Sequence, residues 1–211
     1  MVIQNALSTL IFAALAAGTP VPAQTPFSND SSVQLVVPFV HQQNDLNDQN
    51  SYIGYTTCGP ASLTMALKYA GMSVGINEVL ERIPYYVYIK GDQFYNLPEG
   101  AKYFGKSYKT IDISPKEFYE TLKAGNPIIL NIQNYDGILG HAVVVTGIRG
   151  FDGENAESLI VHDPFVGPYQ TFKFKDQKTL IQPSGIINPI GHLKPFYVVN
   201  STNQTLLTLN N

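Results

Sequence analysis

The chain is short of the residues that usually advertise a function. It has no tryptophan, one cysteine, four histidines and only 14% charged residues. A single cysteine excludes an intrachain disulfide, so the fold must be held by its core, and 211 residues suffice to bury one. Lys+Arg 13 against Asp+Glu 16 leaves a net charge of −3, which supplies no basic field for nucleic acid. No two of His41, His141, His162 and His192 stand at metal-motif spacing. The loop carrying Asp45 and Asn47 lacks the Gly and the closing Glu of a calcium loop. No metal and no other cofactor is implied.

Charge is also missing from the first 23 residues. Within them the largely apolar run 6–17 is too short for a stable membrane span but fits the apolar region of a secretory signal, and Val21-Pro22-Ala23 offers small residues for processing. The expectation is a signal peptide over 1–23 and a secreted or extracytoplasmic protein. Cytoplasmic residence is the alternative, because the run has no Lys or Arg ahead of it. Residues 24–34 are polar and read as a linker, 35–200 as one domain, and 201–211 as a tail or late strand.

What is present centres on residues 55–71, YTTCGPASLTMALKYAG. Pro60 suits a first helical position and Gly71 the position past a helix end, and Leu63, Ala66, Leu67 and Ala70 recur at the spacing of one buried face. Cys58 then lies at the mouth of a helix, where unpaired N–H groups and the dipole favour thiolate over thiol. The plainer reading is a buried cysteine acting as a small hydrophobe.

Around this helix, residues 35–40 read as an edge strand or an extended lead-in interrupted by Pro38. Helices are expected over 76–83, 97–104 and 115–124, the last opened by a Ser114-Pro115-Lys116-Glu117 capping box, and an aromatic β-prone stretch lies at 85–89. From residue 127 onward the character changes. Residues 127–132, 141–148, 158–162, 170–174 and 196–199 are short β-branched or aromatic runs between Gly, Asp and Pro turns. Helices first and strands later predict an α+β fold, a helical part carrying the Cys58 helix packed on an antiparallel β-sheet.

A cysteine nucleophile needs a base, an orienting group and an oxyanion donor. His141 opens a strong strand after the glycine turn 137–140 and is the candidate base; a core histidine is the plainer reading. Asp163 follows the strand 158–162 and reaches His141 if the two strands pair; otherwise it is a turn-forming Asp before Pro. His162 alternates to the other face and reads as structural. Gln42 and Gln43 both precede Cys58, and in an extended segment only one of them faces the sulfur.

Taken together, Val37-Pro38-Phe39-Val40-His41-Gln42, Cys58-Gly59-Pro60-Ala61-Ser62, Gly140-His141-Ala142 and His162-Asp163-Pro164 resemble the papain-like cysteine peptidases related to the bacteriocin-processing, double-glycine-leader peptidases, in their stand-alone exported form. The resemblance spans residues 35–199. It implies a papain-like fold with Cys58 as nucleophile, His141 as base and Asp163 as its orienting partner. It also implies Gln42, four residues after the proline, as oxyanion donor, with the adjacent Gln43 one register away. The activity implied is thiol-dependent hydrolysis of a peptide or protein substrate. Two rivals stand beside it: a transglutaminase- or acyltransferase-like enzyme, and a catalytically silent binding module of the same fold.

Overall fold

The β-branched run from His141 to Ile148 is apolar on both faces, so it can be satisfied only at the centre of a sheet covered on both sides. The computed structural model puts it there. It describes residues 27–29, 31–46, 57–83, 93–135, 138–191 and 193–199. The expected signal peptide 1–23, the aromatic stretch 85–89, His192 and the tail 201–211 lie outside the described residues.

Ten strands form one antiparallel sheet: β1 Phe27–Asn29, β2 Ser32–Gln34, β3 Tyr108–Thr110, β4 Ile128–Tyr135, β5 Ile138–Arg149, β6 Ser158–Asp163, β7 Gly167–Asp176, β8 Thr179–Ile181, β9 Ile187–Pro189 and β10 Phe196–Val198. Their order is β3-β10-β4-β5-β6-β7-β8-β9, with the β1–β2 hairpin attached to β5. The sheet curls back on itself. Ile190 bridges to Ile132 of β4, and Asn188 Nδ2 donates to the Gln133 carbonyl at 2.9 Å. The helices are α1 Cys58–Tyr69, α2 Ile76–Arg82 and α3 Pro115–Lys123, with a 3-10 helix over Gln93–Phe104. Helices α1 and α3 pack on β5 and β4, so the expected α+β arrangement is the observed one.

Several local expectations are corrected. Helix α1 begins at Cys58, not Pro60, with Thr57 as N-cap residue and Pro60 third in the helix. Nor is it amphipathic. Residues 59–67 are all buried, including Ser62 and Thr64, because the sheet lies on one side and α2 and the 3-10 helix on the other. Its far end behaves as the sequence suggests: Gly71 takes φ 84°, its N–H donates to Lys68 and that of Met72 to Leu67, closing a Schellman motif.

The polar stretch read as a linker contains the β1–β2 hairpin. Val33, buried, pairs with Ile148, and Gln34 pairs with Gly147. Residues 35–40 form no strand; they continue beside β5, held at the start by Leu35 N–H donating to Thr146 at 2.7 Å. The third expected helix is of 3-10 type with Pro98 inside it, which removes one donor from the ladder. The capping box is half realised, since Ser114 Oγ accepts from the Glu117 N–H at 3.1 Å. The supposed glycine turn before His141 is largely strand: β5 already runs at Ile138, so His141 lies inside it, opposite Ile132. Strands β3, β8 and β9 are three residues each, too short to give a period in sequence.

Gly147 is where β2 meets β5. It sits at a register shift between β5 and β6, and a Cβ there would come within 2.7 Å of the Val33 carbonyl oxygen and 3.3 Å of Gln34 Cα. Both are backbone atoms that a side chain cannot push aside cheaply. Gly147→Ala is therefore expected to lower unfolding stability by about 1–3 kcal/mol, read as a shifted urea midpoint. An unchanged midpoint would mean that the hairpin contributes nothing to the fold.

Candidate active site

Two neighbouring strands set the spacing of the polar groups. Strands β5 and β6 are antiparallel, with Val144 opposite His162. Side chains alternate along each strand, so His162 shares a face with Val144 while Asp163 turns to the opposite face, one diagonal step from His141. There His141 Nε2 meets Asp163 Oδ1 at 2.9 Å, with both side chains buried. The same carboxylate oxygen accepts the N–H groups of Phe165 at 2.9 Å and Val166 at 3.3 Å. Asp163 thus fulfils both of its sequence readings, ordering the β6–β7 turn and holding the imidazole.

With Nε2 occupied, Nδ1 is the ring nitrogen left for Cys58. The thiol is half-buried at the first position of α1 and hydrogen-bonds His141; the backbone N–H groups of Ala142 and Gly59 also reach it. Burial alone would push the Cys58 pKa up. The His141 hydrogen bond and charge, with those two N–H groups, outweigh it and hold the thiol below its ordinary value. His141 moves the opposite way. Burial disfavours its cation, but hydrogen bonds to Asp163 and Cys58 and the charges of both raise it to about 9. For Asp163, burial favours the neutral acid, yet His141, the Phe165 N–H and the Tyr135 hydroxyl bring its pKa below the ordinary carboxylate value. Cys58, His141 and Asp163 therefore form one hydrogen-bonded chain whose charged form, thiolate–imidazolium–carboxylate, is favoured.

The Gln42 backbone lies between the neighbours of Asp163 and Cys58. Gln42 is buried, with 2% exposure, whereas Gln43 is partly exposed. The expected extended geometry does not hold here, because residues 42–45 form a turn. His41 builds that turn: its Nδ1 accepts the N–H groups of Gln43 and Asn44, each at 3.1 Å, and its own N–H donates to Asp45 Oδ2 at 2.6 Å. The Gln42 N–H donates to the Pro164 carbonyl at 2.8 Å, and its carbonyl accepts from Thr57 Oγ1 at 2.8 Å. Its backbone is tied to the neighbours of both Asp163 and Cys58.

The sequence model of the Peptidase_C39 like family matches residues 34–179. The chain belongs to that family. Among solved structures, it is similar to a C39-like peptidase from Bacillus anthracis, with 20% identity and a TM-score of 0.48 over 81% of this chain and 98% of the other. It is also similar to the peptidase domain of Streptococcus ComA, a bifunctional ABC transporter involved in a quorum-sensing pathway, with 22% identity and a TM-score of 0.40 over 65% and 92%. Among curated proteins none matches.

In this C39-like chain the sequence reading overlooked Tyr135. Its ring stacks on the His141 imidazole with centroids 3.9 Å apart and planes at 27°, and its hydroxyl bonds Asp163. An aromatic near a strand end is too common to be singled out; only the pairing of β4 with β5 lays it over the imidazole. His162 is buried and structural, as expected. Its Nδ1 accepts the Tyr169 N–H at 3.1 Å, so Nε2 carries the proton donated to the Val37 carbonyl at 2.9 Å. Burial lowers its pKa and keeps the ring neutral. Among the described residues no cluster of His, Cys, Asp and Glu could hold a metal ion.

The electrostatic arrangement is tested by alkylation of Cys58. Iodoacetamide is expected to modify the native protein rapidly well below pH 8.5, the value of a free thiol being about 8.5, and His141→Ala should move the midpoint of that pH profile upward. A native thiol that reacts only after denaturation would show that burial, not His141, controls it.

Proposed function

We propose that the protein is a cysteine peptidase that hydrolyses peptide or amide bonds through Cys58, His141 and Asp163, with Gln42 as oxyanion donor. The observation that supports this most directly is the His141 ring, engaged by the Cys58 thiol on one nitrogen and by Asp163 at 2.9 Å on the other. An imidazole held from both sides has a fixed tautomer and orientation, which a proton shuttle requires. Membership of the C39-like family supports a peptidase in the same direction.

In this reading the Cys58 thiolate attacks the scissile carbonyl carbon and a tetrahedral oxyanion forms. The Gln42 amide and the backbone N–H of Cys58, at the first turn of α1, stabilise the charge as it develops. The C–N bond breaks as imidazolium His141 gives its proton to the leaving amine. Neutral His141 then takes a proton from water, whose oxygen attacks the thioester carbonyl; the C–S bond breaks, the acid product leaves and the thiolate–imidazolium pair is restored. Asp163, fixed by the β6–β7 turn, stabilises the imidazolium throughout. The substrate is a peptide or protein segment able to lie across the mouth of α1. Export of the protein, with mature material beginning at Gln24, accompanies this proposal on the strength of the 1–23 pattern, and the mass of the protein recovered from its native cells tests it.

Incubation of the protein with a mixed peptide library, with and without prior alkylation of Cys58, is expected to give cleavage products only without alkylation, read by mass spectrometry. Products that survive alkylation would rule out the thiol, and no products at all would favour a silent module. Gln42→Ala should lower kcat by about 10²–10³ with KM nearly unchanged, and Gln43→Ala should stay within a few-fold of the parent.

The pH profile follows from the two shifts. Thiolate forms as pH rises through the lowered Cys58 value, and imidazolium is lost as pH rises through about 9 at His141. kcat/KM is thus expected to rise on the acid side as thiolate forms and to fall near pH 9 as imidazolium is lost. A profile that still climbs past that point would mean that the proton donor is not His141.

A further inference from the structure

A threonine at a helix N-cap ordinarily turns its hydroxyl back to accept an N–H of the first turn. Thr57 does not. Its backbone lies at φ −99° and ψ 15°, away from the extended geometry that capping uses, and its side chain makes no cap hydrogen bond. Oγ1 instead donates to the Gln42 carbonyl at 2.8 Å. Thr57 has no exposed surface and Gln42 2%, so the bond lies where water cannot replace it.

This bond supplies something chain connectivity does not. Gln42 and Cys58 are separated by fifteen residues, so the backbone between them does not by itself fix the glutamine amide against the sulfur. Two hydrogen bonds hold the Gln42 backbone, on the two peptide groups that flank its Cα. One runs from the Gln42 N–H to Pro164, the residue after Asp163; the other runs to Thr57, the residue before Cys58. The Pro164 bond references the glutamine to the carboxylate strand. The Thr57 bond references it directly to the residue that precedes the nucleophile helix. No side-chain cap takes the Gly59 N–H, which reaches the Cys58 sulfur.

We propose that Thr57 is a positioning residue for the oxyanion site: its hydroxyl, donated to the Gln42 carbonyl, locks the Gln42 backbone to the start of the helix that carries Cys58. This rests on the assignment of Gln42 as oxyanion donor. The bond acts on where the amide sits, not on whether the thiol ionises, so its loss should appear in turnover and not in thiolate reactivity.

The test uses the full chain with Thr57→Val, which keeps the shape but removes the donor, Thr57→Ala as a second donorless variant, and Thr57→Ser, which keeps the hydroxyl. Thr57→Val is also combined with Gln42→Ala. Steady-state kinetics on one peptide substrate and iodoacetamide rates at Cys58 are measured for each. Thr57→Val and Thr57→Ala are expected to lower kcat by about 10- to 100-fold, with KM and alkylation within about threefold of the parent, and Thr57→Ser to restore kcat. In the Gln42→Ala background Thr57→Val should cost little more, since both changes remove one function. Parental kcat in the donorless variants, or equal fold losses with and without Gln42, would overturn the positioning role while leaving Gln42 in place. A parental kcat in Gln42→Ala alone would overturn the oxyanion assignment itself, and the Thr57 proposal with it.

Discussion

The antiparallel pairing of β5 with β6 is the constraint on which the site depends. It places Val144 against His162 and so presents His141 and Asp163 to one another on the same face. A slip of one residue would exchange Asp163 for His162, because side chains alternate along a strand. The slip is prevented by burial: from His141 to Ile148 and from Ser158 to Asp163 every residue is buried, so no shifted register leaves a face free to accept the wrong side chains. The apolar core that makes the sheet stable is therefore the same feature that fixes the imidazole–carboxylate contact at 2.9 Å.

Helix α1 brings the third group. Its surface is buried all round, which asks for small and apolar residues, and the Gly59 N–H of its first turn is directed at Cys58. The start of the helix also carries a local feature that propensity would disfavour. A good N-cap residue is present at Thr57 but is used for a tertiary bond, and the helix opens without a side-chain cap. The stability given up locally is offset by packing against β5, β4, α2 and the 3-10 helix.

Electrostatics in this pocket runs against burial. Desolvation alone would neutralise Cys58, His141 and Asp163, since each would be cheaper uncharged in an apolar interior. Mutual hydrogen bonding and opposite charges reverse that preference for all three. Tyr135 contributes from the remaining side, covering the imidazole with its ring and touching Asp163 with its hydroxyl. His162, buried on the opposite face of the same strand, has no charged partner among the described residues, and burial lowers its pKa where His141 is raised, so two histidines of one sheet are driven in opposite directions by what surrounds them.

The fold class was legible in the order of the runs, because 3.6-residue and two-residue periodicities reflect which faces must be buried, and that pressure acts on local sequence. Legible too were the stop at Gly71, where only a left-handed residue closes the helix cheaply, and the Ser114 cap. Motif and order singled out Gln42, Cys58, His141 and Asp163 as candidates. Their convergence was not legible, since it requires the β5–β6 register and a contact between residues 83 positions apart. Polar residues 32–34 gave no strand period, yet form β2 because β5 offers an edge to pair with and a glycine against which Val33 can close. In sequence neither Thr57 nor Tyr135 stands out from its neighbours. What each one touches depends on segments distant in the chain, so only the tertiary structure decided that one hydroxyl goes to Gln42 and the other to Asp163.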